Sequence, residues 1–182
     1  GDGARERGRR VFLGRARLEQ RGYATAEQVF EPLVNGEDGA EVALWQGRVF
    51  QRQGKHAEAE AIVASALKRH AEDPLRPDLL FDLGQHQIKQ QKFAEAGQSL
   101  DQLLRKFKEY DQRADAVRHN ALCKHRAEDY AASLALCREF LAANAEAVGA
   151  AYMMFLEGEN RFFLNQPKEA VAAYMAFIKA HE

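Results

Sequence analysis

His119 and Cys123 stand four residues apart, and on a helix they share a face, which is how many zinc sites begin. A zinc site needs further ligands, and His125 points elsewhere at its spacing, so no metal centre is expected. Cys123 and Cys137 are the chain's 2 cysteines, too few for a disulfide framework, and both read as small buried hydrophobes. The carboxylate pairs Glu58/Glu60 and Glu157/Glu159 project to different sides of a helix, which denies them a shared acid–base site. There is no glycine-rich phosphate loop, no nucleophile elbow and no cysteine pair at zinc spacing. The expectation is a chain that is not an enzyme, with no catalytic residue, no metal and no cofactor.

Charge offers a second kind of chemistry. Arg5, Arg7, Arg9, Arg10, Arg15, Arg17 and Arg21 form an N-terminal strip that could meet phosphates, with affinity falling steeply as salt rises. Glu6, Glu19 and Glu27 lie among them, the formal net charge is -1, and that half of the chain has few aromatics for base stacking. The sequence therefore weighs against nucleic acid, and a solvated helix start is the plainer account of the strip.

The elements that would position such residues are helical. Ala, Gln, Glu, Arg and Leu are abundant and alternating Val, Ile and Thr runs are missing, so the fold class is all-α. No apolar run approaches the roughly 20 residues that cross a bilayer, so no membrane insertion is expected. The N-terminus lacks the apolar core of a signal peptide, and the 182 residues are expected to be a fragment of a longer protein.

A period organises the whole chain. Gly14, Gly47, Gly84, Ala121 and Gly158 are spaced 33, 37, 37 and 37 apart, and Ala26, Ala59, Ala96, Ser133 and Ala170 repeat the same intervals. Phe30, Val63, Leu100, Cys137 and Tyr174 form a third series, and Leu33, Ala66, Leu103, Phe140 and Phe177 a fourth. Small positions let helix axes approach and large ones fill the space between units. Five helix-turn-helix units follow, at about 8–38, 39–73, 77–110, 112–145 and 147–182, within a single repeat domain. Pro32 should end or kink the second helix, Gly54 should cap a helix, and Asn35 to Gly39 should be a loop. Pro167 suits the first turn of the last helix.

These series resemble the tetratricopeptide repeat family, over nearly the whole chain. The resemblance implies a right-handed superhelical solenoid whose first helices line a concave groove. Endings such as Phe140-Leu141 are similar to those of bacterial cell-envelope members. The chain departs from the pattern where a bulky apolar residue is favoured three after the small one: of Arg17, Phe50, Gln87, Lys124 and Arg161, only Phe50 fits. The asparagines of the family's carboxylate clamp are also missing, their places taken by Arg15, Arg48 and Gln85.

Carried over by register, the groove residues implied are Arg15, Arg48, Arg52, Phe81 and Lys89, then Arg118, His125, Arg126, Tyr152, Phe155 and Phe163. Such a groove would be basic through its middle and aromatic at its end. The partner implied is a protein or peptide, acidic and with apolar anchors. The function expected is a non-catalytic interaction scaffold. The alternatives are a self-associating module that docks through its C-terminal unit and a salt-sensitive polyanion binder.

Overall fold

The computed structural model describes residues 2–36, 39–144 and 148–180. Among them are ten α-helices, one short 3-10 helix and no strand. The helices are α1 (Asp2–Glu19), α2 (Tyr23–Phe30), α3 (Gly39–Arg52), α4 (His56–Arg69) and α5 (Arg76–Lys89). They continue with α6 (Phe93–Lys106), α7 (Arg113–Arg126), α8 (Tyr130–Asn144), α9 (Ala150–Phe163) and α10 (Pro167–Lys179). The chain falls into two compact units, Gly1–Gln91 and Lys92–Glu182.

In the first unit each helix packs on the next, and α3 also touches α1 and α5. Its core joins Val11, Leu18, Ala26, Phe30, Val42 and Val49. In the second unit each helix again packs on its successor, and α7 touches α9. Val117, Ala121, Cys137, Phe140, Met153 and Leu156 are buried together there.

The small and large series meet as the spacing requires. A Cβ added to Gly14 would fall on the Phe30 ring, and one on Gly47 would lie 2.9 Å from Val63 Cγ2. At Gly158 it would lie 2.5 Å from Tyr174 Cε1. In these pairs the first helix therefore gives up its side chain where the second helix inserts a bulky one.

Each turn between paired helices has one residue in the left-handed region: Arg21, Gly54, Gln91, Glu128 and Asn165, at the same 33 and 37 intervals. The following N–H closes the helix end by donating to a carbonyl five residues back, at 2.8 Å for Gly22 to Arg17 and 2.9 Å for Lys55, Asp129 and Gln166. Gly54 suits that geometry without strain and Asn165 tolerates it, whereas Arg21, Gln91 and Glu128 carry its cost. Since a Cβ on Gly54 meets nothing within 4 Å, Gly54→Ala tests the backbone alone. We expect Gly54→Ala to lower stability by about 1 kcal/mol and Glu128→Gly to raise it by a similar amount, read by urea unfolding.

The 37-residue interval comes from connections at 70–75 and 107–112. In both, an arginine opens the next helix and returns to the end of the last one: Arg76 Nη1 donates to Leu67 O at 2.8 Å, and Arg113 Nη1 to Leu104 O at 3.0 Å. A guanidinium beside exposed helix-terminal carbonyls satisfies acceptors that the helix leaves open.

Several boundaries differ from expectation. α1 starts at Asp2 rather than near Gly8, and Glu6 accepts from Arg10 one turn on at 3.2 Å. The second helix ends at Phe30, and Pro32 sits in the 3-10 turn Glu31–Leu33, as a proline without its N–H requires. Gly39 opens α3 instead of ending a loop, and it is buried against His70 and the Val34 carbonyl. Glu37, Asp38 and the ends of units four and five at 145–147 and 181–182 lie outside the described residues. Pro167 does occupy the first turn of α10.

Candidate functional site

Within the first unit the predicted arginines are largely committed. Arg48 Nε donates to Asp82 Oδ2 at 2.9 Å, joining α3 to α5, and burial pushes the Asp82 carboxyl above its usual range although Arg48 pulls it down. Trp45 lies between two guanidinia, with Arg15 at 4.3 Å and Arg48 at 4.9 Å from its ring centroid. Arg15 is also 4.0 Å from Glu41. These contacts are cation–π and ion-pair packing between first helices. Arg52 and Lys89 are exposed.

Phe81 is a correction. It is only 4% exposed and belongs to the interior, together with Leu44 and Val11, which hold the same register position on α3 and α1. The position turns outward only in the second unit, where its occupants are Arg118, half-buried, and Phe155, 41% exposed. An apolar side chain is drawn inward where the helix face allows it, and the register alone could not distinguish the two cases.

The second unit brings the remaining predicted residues together. Tyr152, Phe155, Phe162 and Phe163 run along one face of α9, all substantially exposed. Phe163 stacks on Tyr130, with ring centroids 4.6 Å apart and planes at 9°, and His125 meets both rings edge-on. Arg126 is exposed and reaches over Phe93 at 6.0 Å. Arg118 is held by Asp115 at 2.8 Å. Partial burial raises the Tyr152 hydroxyl above the ordinary phenol range, while the charges of Arg126 and Arg118 pull it back. The result is an aromatic ridge beside two guanidinia.

Behind the ridge lies a polar relay that the sequence reading missed. His125 Nδ1 is 2.8 Å from Asn160 Oδ1, Asn160 Nδ2 donates to Ser133 Oγ at 2.8 Å, and Ser133 Oγ donates to Ala121 O at 2.8 Å. Asn160 Nδ2 also faces Cys137 Sγ at 3.7 Å. With Ser133 committed to Ala121, the relay requires His125 to carry its proton on Nδ1. Ser133 is the one polar member of an otherwise alanine series, and that break was the available signal. The relay ties α7, α8 and α9 together and holds His125 against the aromatic face.

The other chemical candidates have structural roles. Cys123 and Cys137 are free, fully buried thiols, and burial pushes each up to about 12. Among the described residues no group of three or more His, Cys, Asp or Glu side chains could hold a metal ion. Glu157 accepts from Arg161 at 2.7 Å, Glu159 from the Tyr174 hydroxyl at 2.5 Å, and Glu60 from Gln90 at 2.8 Å. No helix among the described residues is long and apolar enough to cross a membrane.

Two family models, each described as tetratricopeptide repeat, match residues 13–77 and 50–119. No curated protein matches the chain in sequence. Among solved structures, YrrB, described as a TPR protein with an unusual peptide-binding site, is similar with a TM-score of 0.80 at 14% identity. That match covers 93% of this chain and 84% of YrrB. MamA from AMB-1 is similar with a TM-score of 0.78 at 11% identity, covering 96% of this chain and 91% of MamA. A repeat protein of the kinesin light chain type from Podospora anserina gives 0.70 at 13% identity, covering 93% and 92%. At these identities the likeness is one of fold.

Proposed function

Because the chain belongs to the tetratricopeptide repeat family, whose members are in general interaction modules, we propose that it is a non-catalytic scaffold that binds a peptide or protein segment on the face of its first helices. The observation that carries this reading is the α9 ridge in the second unit. Tyr152, Phe155 and Phe163 stand substantially exposed beside the Arg126 guanidinium. Exposed rings at one face offer burial, and arginine offers a planar fork for carboxylates. The partner is accordingly an acidic segment with aromatic or aliphatic anchors. The peptide-binding description of YrrB supports a peptide as the class of ligand.

Arg15 and Arg48 support the first unit's packing in this reading, and in the second unit Arg118 supplies charge beside Arg126. His125 acts by positioning Phe163 and Tyr130. The test is fluorescence anisotropy with labelled peptides that combine acidic and aromatic residues, beside scrambled neutral controls. Phe155→Ala and Arg126→Glu should each weaken binding at least about tenfold, the size of a modest hot spot, with unchanged circular dichroism. Equal affinity of wild type and both variants would contradict the proposal.

A further inference from the structure

One pair of adjacent positions on the first helices is apolar in every unit but the first. It is Val42 and Ala43 on α3, Leu79 and Leu80 on α5, Ala116 and Val117 on α7, and Met153 and Met154 on α9. All but the half-buried Met154 are buried, and Val42 joins the core that α1 and α2 form. Carried back by the same intervals, the pair on α1 is Arg9 and Arg10, both exposed. Burying two guanidinia costs their hydration, so this face of α1 is not built to receive another helix pair.

The face carries more than those two charges. Residues 5–21 hold seven arginines, two glutamates and no lysine. At about 100° per residue, Arg5, Arg9, Phe12, Leu13 and Arg17 fall within less than half the circumference of α1, opposite the buried Val11, Gly14 and Leu18. Phe12 is 72% exposed and Leu13 42%. Arg5 and Arg9 have no acidic partner among the described residues, while Glu6 is taken up by Arg10.

We propose that this face of α1 docks on a bilayer surface rich in anionic phospholipid. The helix lies along the surface, its arginines meet lipid phosphates, and Phe12 and Leu13 enter between the headgroups. Apolar side chains set among arginines favour this partner over a nucleic acid. A lipid surface offers an apolar layer just beneath its phosphates, whereas one exposed ring supplies no run of base stacking. The contact is peripheral, since no helix among the described residues is long and apolar enough to cross a membrane. The face belongs to the first unit and the α9 ridge to the second, so this inference does not depend on the peptide reading.

Co-sedimentation of the intact chain with vesicles tests it. Wild type should pellet with phosphatidylcholine vesicles that contain phosphatidylglycerol, stay in solution with phosphatidylcholine alone, and be released as salt rises. Arg5→Gln/Arg9→Gln should weaken binding about twentyfold or more, because each arginine near an anionic surface contributes about fivefold. Phe12→Ser should weaken it at least about fivefold. All three positions are exposed, and far-UV circular dichroism checks that the variants are folded. The double variant should keep wild-type affinity for the peptide and Arg126→Glu should keep it for vesicles, so failure of one reading is separable from failure of the other. No pelleting with anionic vesicles, equal pelleting with neutral ones, or pelleting that the variants retain would overturn the inference. A wild type that shifts a DNA duplex and binds no vesicle overturns it in favour of a polyanion surface.

Discussion

Between about pH 7 and pH 4 the wild-type chain should lose on the order of 3 kcal/mol of stability that a His86→Leu variant keeps. His86 is fully buried in α5, and neither ring nitrogen has a hydrogen-bond partner. Nε2 lies 3.6 Å from where a Cβ on Gly47 would be, and the His56 ring is 6.3 Å away. Burial first, then the neighbouring charges of His56 and Arg48, push the imidazole down to about 4, against a smaller opposite pull from Glu60. A histidine that stays neutral when folded but protonates near 6.5 when unfolded favours the unfolded chain as pH falls. The penalty for holding it neutral is therefore absent above about pH 6.5 and grows on the way down to about 4. Asp82 gives a slope of the opposite sign, since burial raises its pKa, and comparison with the variant at each pH cancels it. At neutral pH His86→Leu should also be more stable by about 1–3 kcal/mol, because two unsatisfied buried nitrogens are removed. Urea unfolding at several pH values measures both effects. Parallel wild-type and variant curves would contradict this account of His86.

The second large effect lies in the relay of the other unit. Ser133→Ala removes the acceptor of Asn160 Nδ2, and should cost about 1–3 kcal/mol because Asn160 is fully buried. Asn160→Val should cost a similar amount, since His125 loses its partner. The double variant places Ala and Val where another unit has Ala59 and Val49, so the Asn160 amide that Ser133→Ala strands is gone and only His125 Nδ1 is left without its partner. It should therefore cost less than the two single variants together, with a coupling of about 0.5–3 kcal/mol in a double-mutant cycle. Strict additivity would mean that the relay does not act as a unit. A His125 resonance whose Nδ1 proton is lost in both single variants would locate the coupling at the tautomer.

The repeat register was legible because close packing leaves a mark on residue size. Gly14 faces Phe30, Gly47 faces Val63 and Gly158 faces Tyr174, so each small residue implied its large partner. The left-handed residue of a turn was legible only at Gly54; Arg21, Gln91 and Glu128 adopt the same backbone without any side-chain signal, and Asn165 with asparagine's tolerance of it. In the candidate site, charge type was readable but engagement was not. Arg48 looks like a groove arginine in sequence, yet Asp82 on α5 and Trp45 one turn earlier on α3 hold it. Phe81 shows the same limit for apolar residues, because one register position is interior at Phe81 and exposed at Phe155. Pairings between columns, rather than residues within one, decide which side chains remain available.

The measurement closest to the central claim is a heteronuclear NMR titration of the intact chain with an acidic, aromatic peptide that binds in the anisotropy assay. Binding on the first-helix face predicts that the largest shifts fall on Tyr152, Phe155, Phe163 and the Arg126 side chain, with smaller ones at His125. Shifts confined to α10 and α1, with the α9 rings unmoved, would contradict it.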